Sequence, residues 1–320
     1  MKEHVVHVIE RCVVRGVPHI QTVTGLIPPI KLLIISESTN RPNIKGPQSP
    51  YPQFVHSDSS PYLMAYTNSY TKEETPALLP GYYGPDPYDI NWAFPLHEET
   101  LESERVKLTP FIPKLHAQEY AAQVGVRPDL QQWFPFDLST LDQILTGIEL
   151  RVRRNPSWVL FAIIDKARGG AMAGVIGLVN ASAENLCGEI AWLLVFPAFQ
   201  GTYVTSNAVG IMLRYALELP SPNPAHGTRG RGLGFRRVQW TAHTANKKSY
   251  AVAKRMGLKE EGILRWTWVL HEGAEGHGIP LRDGDPLSPR PGRHSVLLSL
   301  CGDDWEDGGR EHVQQLIDRK

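Results

Sequence analysis

Cysteine is scarce in this sequence: only Cys12, Cys187 and Cys301 occur in 320 residues, far apart and with no C-x-x-C pair. That scarcity excludes a disulfide framework and a cysteine-based zinc knuckle, and it suits a reducing compartment. Charge of one sign is also missing. The 33 lysines and arginines balance 33 aspartates and glutamates, so nothing favours nucleic acid or an anionic membrane as main partner. No long hydrophobic run is present near the start. Leu26 to Ile35 is interrupted by Pro28, Pro29 and Lys31, too short to span a bilayer and without the layout of a secretion signal. The cytoplasm is the expected location. His4/His7 and His271/His277 lack further ligands at suitable spacing, so no metal is expected.

What is present divides unevenly. Hydrophobic residues make up 42% and charged residues 21%, ordinary for a globular protein. Residues 1–100 read as an irregular N-terminal extension. Within it, residues 40–90 are rich in Pro, Ser, Tyr and Asn and sustain neither a helical nor a strand period. Residues 101–305 read as the folded domain, and 306–320 as a C-terminal helix or tail.

In the domain, Arg105 to Phe111 alternates like a strand, and Pro113 to Val124 reads as a helix with Pro in its first turn. Leu141, Ile144, Leu145, Ile148 and Val152 fall at helical spacing, ended by Asn155-Pro156. Strand-like runs follow at Trp158–Ile164, Ala173–Val179 and Cys187–Phe196. Val204, Ala208, Ile211, Met212, Tyr215 and Leu219 mark a helix stopped by Pro220. Arg237–Thr241 is a strand, and Asn246–Met256 a helix with an Asn cap and Gly257 just past its end. Leu258–Leu270 and Ser295–Leu300 close as strands, with a Gly-, Pro-, Asp- and Arg-containing loop between them that can hang over a site. A last amphipathic helix is expected from Trp305 towards Arg319. This order predicts an α/β fold: a mixed, twisted sheet flanked by helices, with antiparallel hairpins first and a helical crossover between parallel strands later.

The segments Glu104–Phe111, Gly174–Leu178, Gly188–Trp192, Phe199-Gln200-Gly201, Asn246–Ser249 and Met256–Gly262 occur in this order. In them the sequence resembles the GNAT superfamily of acyl-CoA N-acyltransferases. It is most similar to the branch of the ribosomal-protein-alanine acetyltransferases and to acetyltransferase-like proteins of fungi. The resemblance covers about two-thirds of the chain. It implies acetyl-CoA as co-substrate, a primary amine of a small molecule or peptide as acceptor, and direct attack in a ternary complex.

The resemblance also implies roles for residues. The family carries Q/R-x-x-G-x-G/A where a strand runs into a helix, so that backbone N–H groups and the positive helix end hold the CoA pyrophosphate. Here the stretch reads Gln200-Gly201-Thr202-Tyr203-Val204-Thr205. Tyr203 and Thr205 replace the small residues and are expected to crowd the phosphates, with the hydroxyls of Thr202, Thr205 and Ser206 compensating. Arg229-Gly230-Arg231-Gly232-Leu233-Gly234 fits by letter but precedes a strand, not a helix, and reads as a loop.

Glu189 is the general-base candidate, because an alkyl ammonium is no nucleophile until deprotonated; alternatively it pairs with an arginine on a half-buried strand. Strand alternation groups Glu189 with Ala191, Leu193 and Val195. A backbone N–H at Leu194 or Val195 is expected to polarise the thioester carbonyl. Many GNATs carry a tyrosine acid where this chain has Ala253; in the resembling branch the Asn-x-x-Ser serine, here Ser249, protonates the thiolate, and Asn246 contacts the pantetheine. The alternative is that Asn246 caps a helix and Ser249 is a first-turn residue. His243 is a second candidate base, Trp158, Trp266 and Trp268 are candidate acceptor-pocket walls, and Cys187 reads as a buried residue. The rival reading is a non-catalytic GNAT-like acyl-CoA-binding or protein-interaction module, favoured by Tyr203 and Ala253.

Overall fold

Seven strands form one mixed sheet, as the alternation of strand and helix patterns predicts, in the order β1-β2-β3-β4-β5-β7-β6. In the computed structural model, which describes residues 67–71, 80–222 and 230–319, the elements are β1 (Val106–Pro110), α1 (Pro113–Val126), α2 (Leu141–Gly147), β2 (Val159–Asp165), β3 (Ala171–Ser182), β4 (Cys187–Val195), α3 (Val204–Leu217), β5 (Arg237–His243), α4 (Lys247–Arg255), β6 (Lys259–Val269), β7 (Gly292–Cys301), a short α5 (Gly302–Asp304) and α6 (Arg310–Asp318). Leu26–Ile35, Cys12, His4, His7, Arg229 and most of the Pro-rich stretch lie outside the described residues.

Local chemistry explains the boundaries. Pro113 opens α1, where a missing N–H costs nothing. Thr140 and Gln143 form a reciprocal capping box on α2, which runs on as a wider turn over Ile148–Arg153. Asn246 Oδ1 accepts the Ser249 N–H at 3.0 Å and starts α4. The last helix is not continuous as the pattern suggested. Gly308, at φ 84°, breaks it between Trp305 and α6, because the left-handed region suits glycine and interrupts the helical repeat.

β1 to β4 are antiparallel neighbours, β4 and β5 are parallel, and β7 lies antiparallel between β5 and β6. The core lies between the sheet and α3, whose buried face includes Val204, Ala208, Ile211, Met212 and Tyr215. Before β1, Trp92 Nε1 donates to the Tyr215 hydroxyl at 3.0 Å, and that hydroxyl donates to the Pro95 carbonyl at 2.9 Å. At the other end of the chain, Val313 and Ile317 of α6 pack where Gly210 leaves α3 bare of a side chain. Among the described residues no helix is long and apolar enough to cross a membrane.

Candidate active site

β4 and β5 pair only over Cys187–Glu189 and Arg237–Gln239. Beyond those rungs they diverge, and a cleft of about 490 Å³ lies between them. The cause is local to β4. Trp192 and Leu193 together oppose the single Ile176 of β3, a bulge that bends the strand. Trp192 takes φ 52°, a costly conformation for a bulky residue, and is held there by its indole donating to the Tyr120 hydroxyl at 3.3 Å and by stacking on Phe136 at 4.8 Å. The extra residue inverts the alternation beyond it. Val179, Gly177 and Val175 oppose Glu189, Ala191 and Leu194, so Leu194 shares the Glu189 face and Val195 does not, contrary to the simple alternation.

The β3–β4 ladder also distinguishes the backbone of Leu194 from that of Val195. Phe196 N–H donates to the Ala173 carbonyl at 2.8 Å. Ladder alternation therefore turns the N–H and C=O of Val195 away from β3, to the open side. Gln200 Nε2 donates to that carbonyl at 2.9 Å, so the Gln200 side chain braces the end of β4.

Glu189 is 8% exposed and lines the cleft. Thr241 Oγ1 donates to its Oε1 at 2.5 Å, while Gln239 Nε2 and Asn180 Nδ2 approach its Oε2 at 3.2 and 3.3 Å. Among the described residues no arginine forms the ion pair of the alternative reading, and the polar groups holding Glu189 are uncharged. Asn180 is in turn bonded by the Trp158 indole at 3.2 Å. Asn180 stands out in the sequence only as a turn residue and the start of an Asn-Ala-Ser sequon, and Gln239 and Thr241 were not singled out, although both alternate on β5 beside a parallel Glu189.

Asn246 and Ser249 line the cleft as well. Each carries the structural role considered for it: Asn246 caps α4, and Ser249 Oγ accepts the Trp240 indole N–H at 2.9 Å. Because that hydroxyl accepts from Trp240, its own proton stays free to be donated. At α3 the N-cap residue, Tyr203, makes no side-chain cap. Thr202 Oγ1 accepts the Val204 N–H at 3.3 Å while donating to the Phe199 carbonyl at 2.7 Å. Gln200, Gly201 and Thr205 reach the cleft wall; Thr202, Tyr203, Val204 and Ser206 do not. Gly201 sits at φ 72°, the one position of the turn that requires glycine.

The fold has known counterparts. Residues 105–259 match the family model of the acetyltransferase (GNAT) domain. Among solved structures, a GCN5-related N-acetyltransferase from Brucella melitensis aligns at a TM-score of 0.53 and 21% identity, over 68% of this chain and 85% of that one. A GNAT-family protein from Chromobacterium violaceum aligns at 0.53 and 21%, over 74% and 100%. The fold is the GNAT fold. RimJ of Mycobacterium smegmatis, solved with CoA-disulfide, aligns less well, at 0.48 and 15% identity over 65% and 88%. No curated protein matches.

In this GNAT fold the Tyr203 ring does not line the cleft, whereas Thr205 does. Tyr203 has φ −64°, an ordinary helical value, so no glycine is needed there. Its hydroxyl donates to the carboxylate of the fully buried Asp165, 2.9 Å from either oxygen, and Arg105 lies 4.2 Å over its ring. The ring thus packs at the end of β2. The R-x-x-G-x-G look-alike is used at the opposite end of α3. N–H groups of Arg231, Gly232, Leu233, Gly234 and Phe235 bond carbonyls between Tyr215 and Pro220, wrapping the helix C-terminus. The β6–β7 loop does not overhang the cleft either. His271 and Arg290 border a separate cavity with Asp142 and Thr146 of α2.

His243 lines the cleft at 4% exposure. Its Nδ1 accepts the Ala245 N–H at 3.0 Å, and burial, followed by the charge of Arg293, lowers its pKa below the usual histidine value. It is therefore neutral at pH 7, with the proton on Nε2. Trp158 and Trp268 also line the cleft, whereas Trp266 stands outside against His277 at 4.1 Å. Cys187 is half-buried and free, and Ala253 is fully buried under α4.

Proposed function

We propose that the protein transfers an acetyl group from acetyl-CoA to a primary amine by direct attack in a ternary complex. The observation that carries this reading is the cleft where β4 and β5 part, which gathers Glu189, the outward N–H of Val195, the α3 first turn, Asn246 and Ser249. The amides at the head of α3, where Tyr203 supplies no side-chain cap, suit a pyrophosphate, and the Gly201 turn lets backbone approach it. Gln200, Thr202, Tyr203, Val204, Thr205 and Ser206 then contribute mainly through backbone and turn geometry.

Glu189 takes the proton of the incoming ammonium, directly or through water. The Val195 N–H polarises the thioester carbonyl as the amine attacks its carbon and the C–S bond breaks. The Ser249 hydroxyl, or water, protonates the leaving thiolate. Asn246 keeps a free side-chain N–H₂ for the pantetheine arm. Orientation and the carbonyl contact supply most of the acceleration. The chemistry uses no metal. The resemblance to the ribosomal-protein-alanine branch adds Ser249 as the acid in place of the tyrosine that Ala253 lacks. The rival, non-catalytic reading rested on Tyr203 and Ala253; with Tyr203 turned away from the cleft, only Ala253 still speaks for it.

Calorimetry with acetyl-CoA tests the proposal. The wild type is expected to bind in the micromolar range, and Glu189→Gln to bind equally while losing ~10²–10⁴-fold in turnover on any amine acceptor. A wild type that does not bind acetyl-CoA sinks it.

A further inference from the structure

The face of the sheet that carries Glu189 continues across β5 and β7. Glu189 opposes Gln239, whose face also carries Thr241 and His243; His243 opposes Ser295, and Arg293 is two residues before Ser295. Trp268 of β6 opposes Arg293 on the same face. Glu189, Thr241, His243, Arg293 and Trp268 all line the cleft, roofed by Trp133 of the α1–α2 connection.

Two hydrogen-bond donors on this wall are orphaned. Arg293 is 5% exposed, and its single hydrogen bond among the described residues runs from Nη1 to the Trp133 carbonyl at 3.1 Å; its Nε has no partner. His243 Nε2, which carries the imidazole proton, is buried and unpartnered too, with the ring stacked on Trp133 at 4.8 Å. Among the described residues no carboxylate forms an ion pair with Arg293. Glu189 is the carboxylate whose charge it feels, but the Glu189 oxygens are already taken by Thr241, Gln239 and Asn180. Burial pulls the Arg293 pKa down to about 10, so the guanidinium is still charged at pH 7. A buried charge without an ion-pair partner is unfavourable, and two buried unpartnered N–H donors are each costly until an acceptor arrives.

Both orphans need oxygen acceptors, one needs negative charge, and both lie on the face of the proposed base. Resting on the reading above, we propose that the acceptor is a free amino acid, its carboxylate received by Arg293 with His243 beside it, and its amine presented to Glu189. The aromatic walls Trp133, Trp158 and Trp268 favour an apolar or aromatic side chain. Arg293 and His243 are then specificity residues and take no proton. This chemistry disfavours a polyamine, which would set positive charge against Arg293, and a peptide N-terminus, which replaces the α-carboxylate by a neutral amide.

The test compares three acceptors of one skeleton, L-phenylalanine, L-phenylalaninamide and 2-phenylethylamine, each at equal free-amine concentration with acetyl-CoA; the other L-amino acids are screened against their amides in the same way. The wild type is expected to favour the amino acid by at least ~10² in kcat/KM, because an analogue lacking the carboxylate leaves the buried donors unpaired. Arg293→Met should close that gap, mainly through KM for the amino acid, with KM for acetyl-CoA retained. Equal use of the three acceptors by the wild type, or a gap that survives in Arg293→Met, overturns the proposal; the first result needs no variant to fold. Preference for peptides with Asp or Glu in second position over every free amino acid overturns it as well. Calorimetry of L-phenylalanine against the CoA-saturated protein separates the two readings. Arg293-dependent binding without turnover leaves the carboxylate site standing while acetyl transfer fails, and turnover on simple amines without such binding does the reverse.

Discussion

Tyr203 carries the residue-scale lesson. By letter it occupies a position where the GNAT pattern has a small residue, and a bulky ring there reads as an obstruction. Side-chain direction reverses that reading: the ring leaves along β2 and its hydroxyl satisfies Asp165, which is fully buried beside Arg168 and the Ala167 N–H. Removing the hydroxyl leaves a buried carboxylate short of a donor, a loss of ~1–3 kcal/mol. Tyr203→Phe is therefore expected to lower the melting temperature by roughly 2–4 °C per kcal/mol lost, with acetyl-CoA affinity within a few-fold of wild type by calorimetry. A Tyr203→Gly protein that gains acetyl-CoA affinity would show that the ring does block the cleft. Glu189 was legible at this scale because a carboxylate on an apolar strand stands out. Arg293 was not: the strand pattern was read from Ser295, which left Arg293 in a loop, and only the rungs to Trp268 put it on the face that carries Glu189.

At the scale of elements, strong local periods were legible and non-local pairings were not. The apolar stripe of α3 and the Asn cap of α4 are written in neighbouring residues, so both helices fall close to where the pattern puts them. The bulge at Trp192 depends on Tyr120 and Phe136, far away in the chain, and nothing in the Gly188–Val195 pattern announces it. The glycine run at 230–234 matched a phosphate loop by letter because wrapping a helix end and cradling a phosphate ask the same thing of a backbone, exposed N–H groups and little side chain.

The insertion of β7 between β5 and β6 is a further pairing that no local pattern states, and it brings Arg237 and Glu261 together across β7. Arg237 Nη1 and Nη2 lie 2.5 and 2.7 Å from the two Glu261 oxygens, and Ser299 of β7 donates to Oε1 at 2.5 Å. These bonds, Arg237 first, hold the Glu261 pKa at about 2, below its ordinary 4.5. A depressed carboxylate stabilises the fold fully above its unfolded pKa and loses that contribution as pH falls through the folded value. The bridge therefore contributes above pH 4.5 and fades towards pH 2, modestly, because the pair is partly exposed and screened. Glu261→Gln should melt below wild type at pH 7, and the difference should shrink as thermal scans move from pH 5 to pH 2. A difference that is constant across that range excludes the bridge as its source.

At the scale of the whole molecule, the GNAT match covers residues 105–259, yet the elements beyond it complete the sheet and close the far side of α3. Val313 and Ile317 pack at Gly210, where an added Cβ would lie 2.7 Å from Ile317 Cγ1. Asn207 Nδ2 donates to the Ile317 carbonyl at 3.2 Å, Arg105 Nη2 donates to the carbonyls of Ile317 and Arg319 at 2.8 and 2.6 Å, and Arg310 lies 2.6 Å from Glu218 at the end of α3. Because α3 also reaches the cleft with Thr205 of its first turn, α6 steadies from behind the helix proposed to hold the pyrophosphate. Deleting residues 306–320 exposes the bed of Val313 and Ile317 and strips partners from Asn207 and Arg105. Two buried aliphatic side chains alone represent roughly 3–6 kcal/mol, a large share of the ~5–15 kcal/mol of a typical domain. The truncated protein is expected to unfold at markedly lower urea, and acetyl-CoA at saturating concentration should restore only part of the loss, since ~100-fold excess over Kd adds about 2.7 kcal/mol. A truncated protein with an unchanged urea midpoint would mean that α3 and the cleft stand without α6.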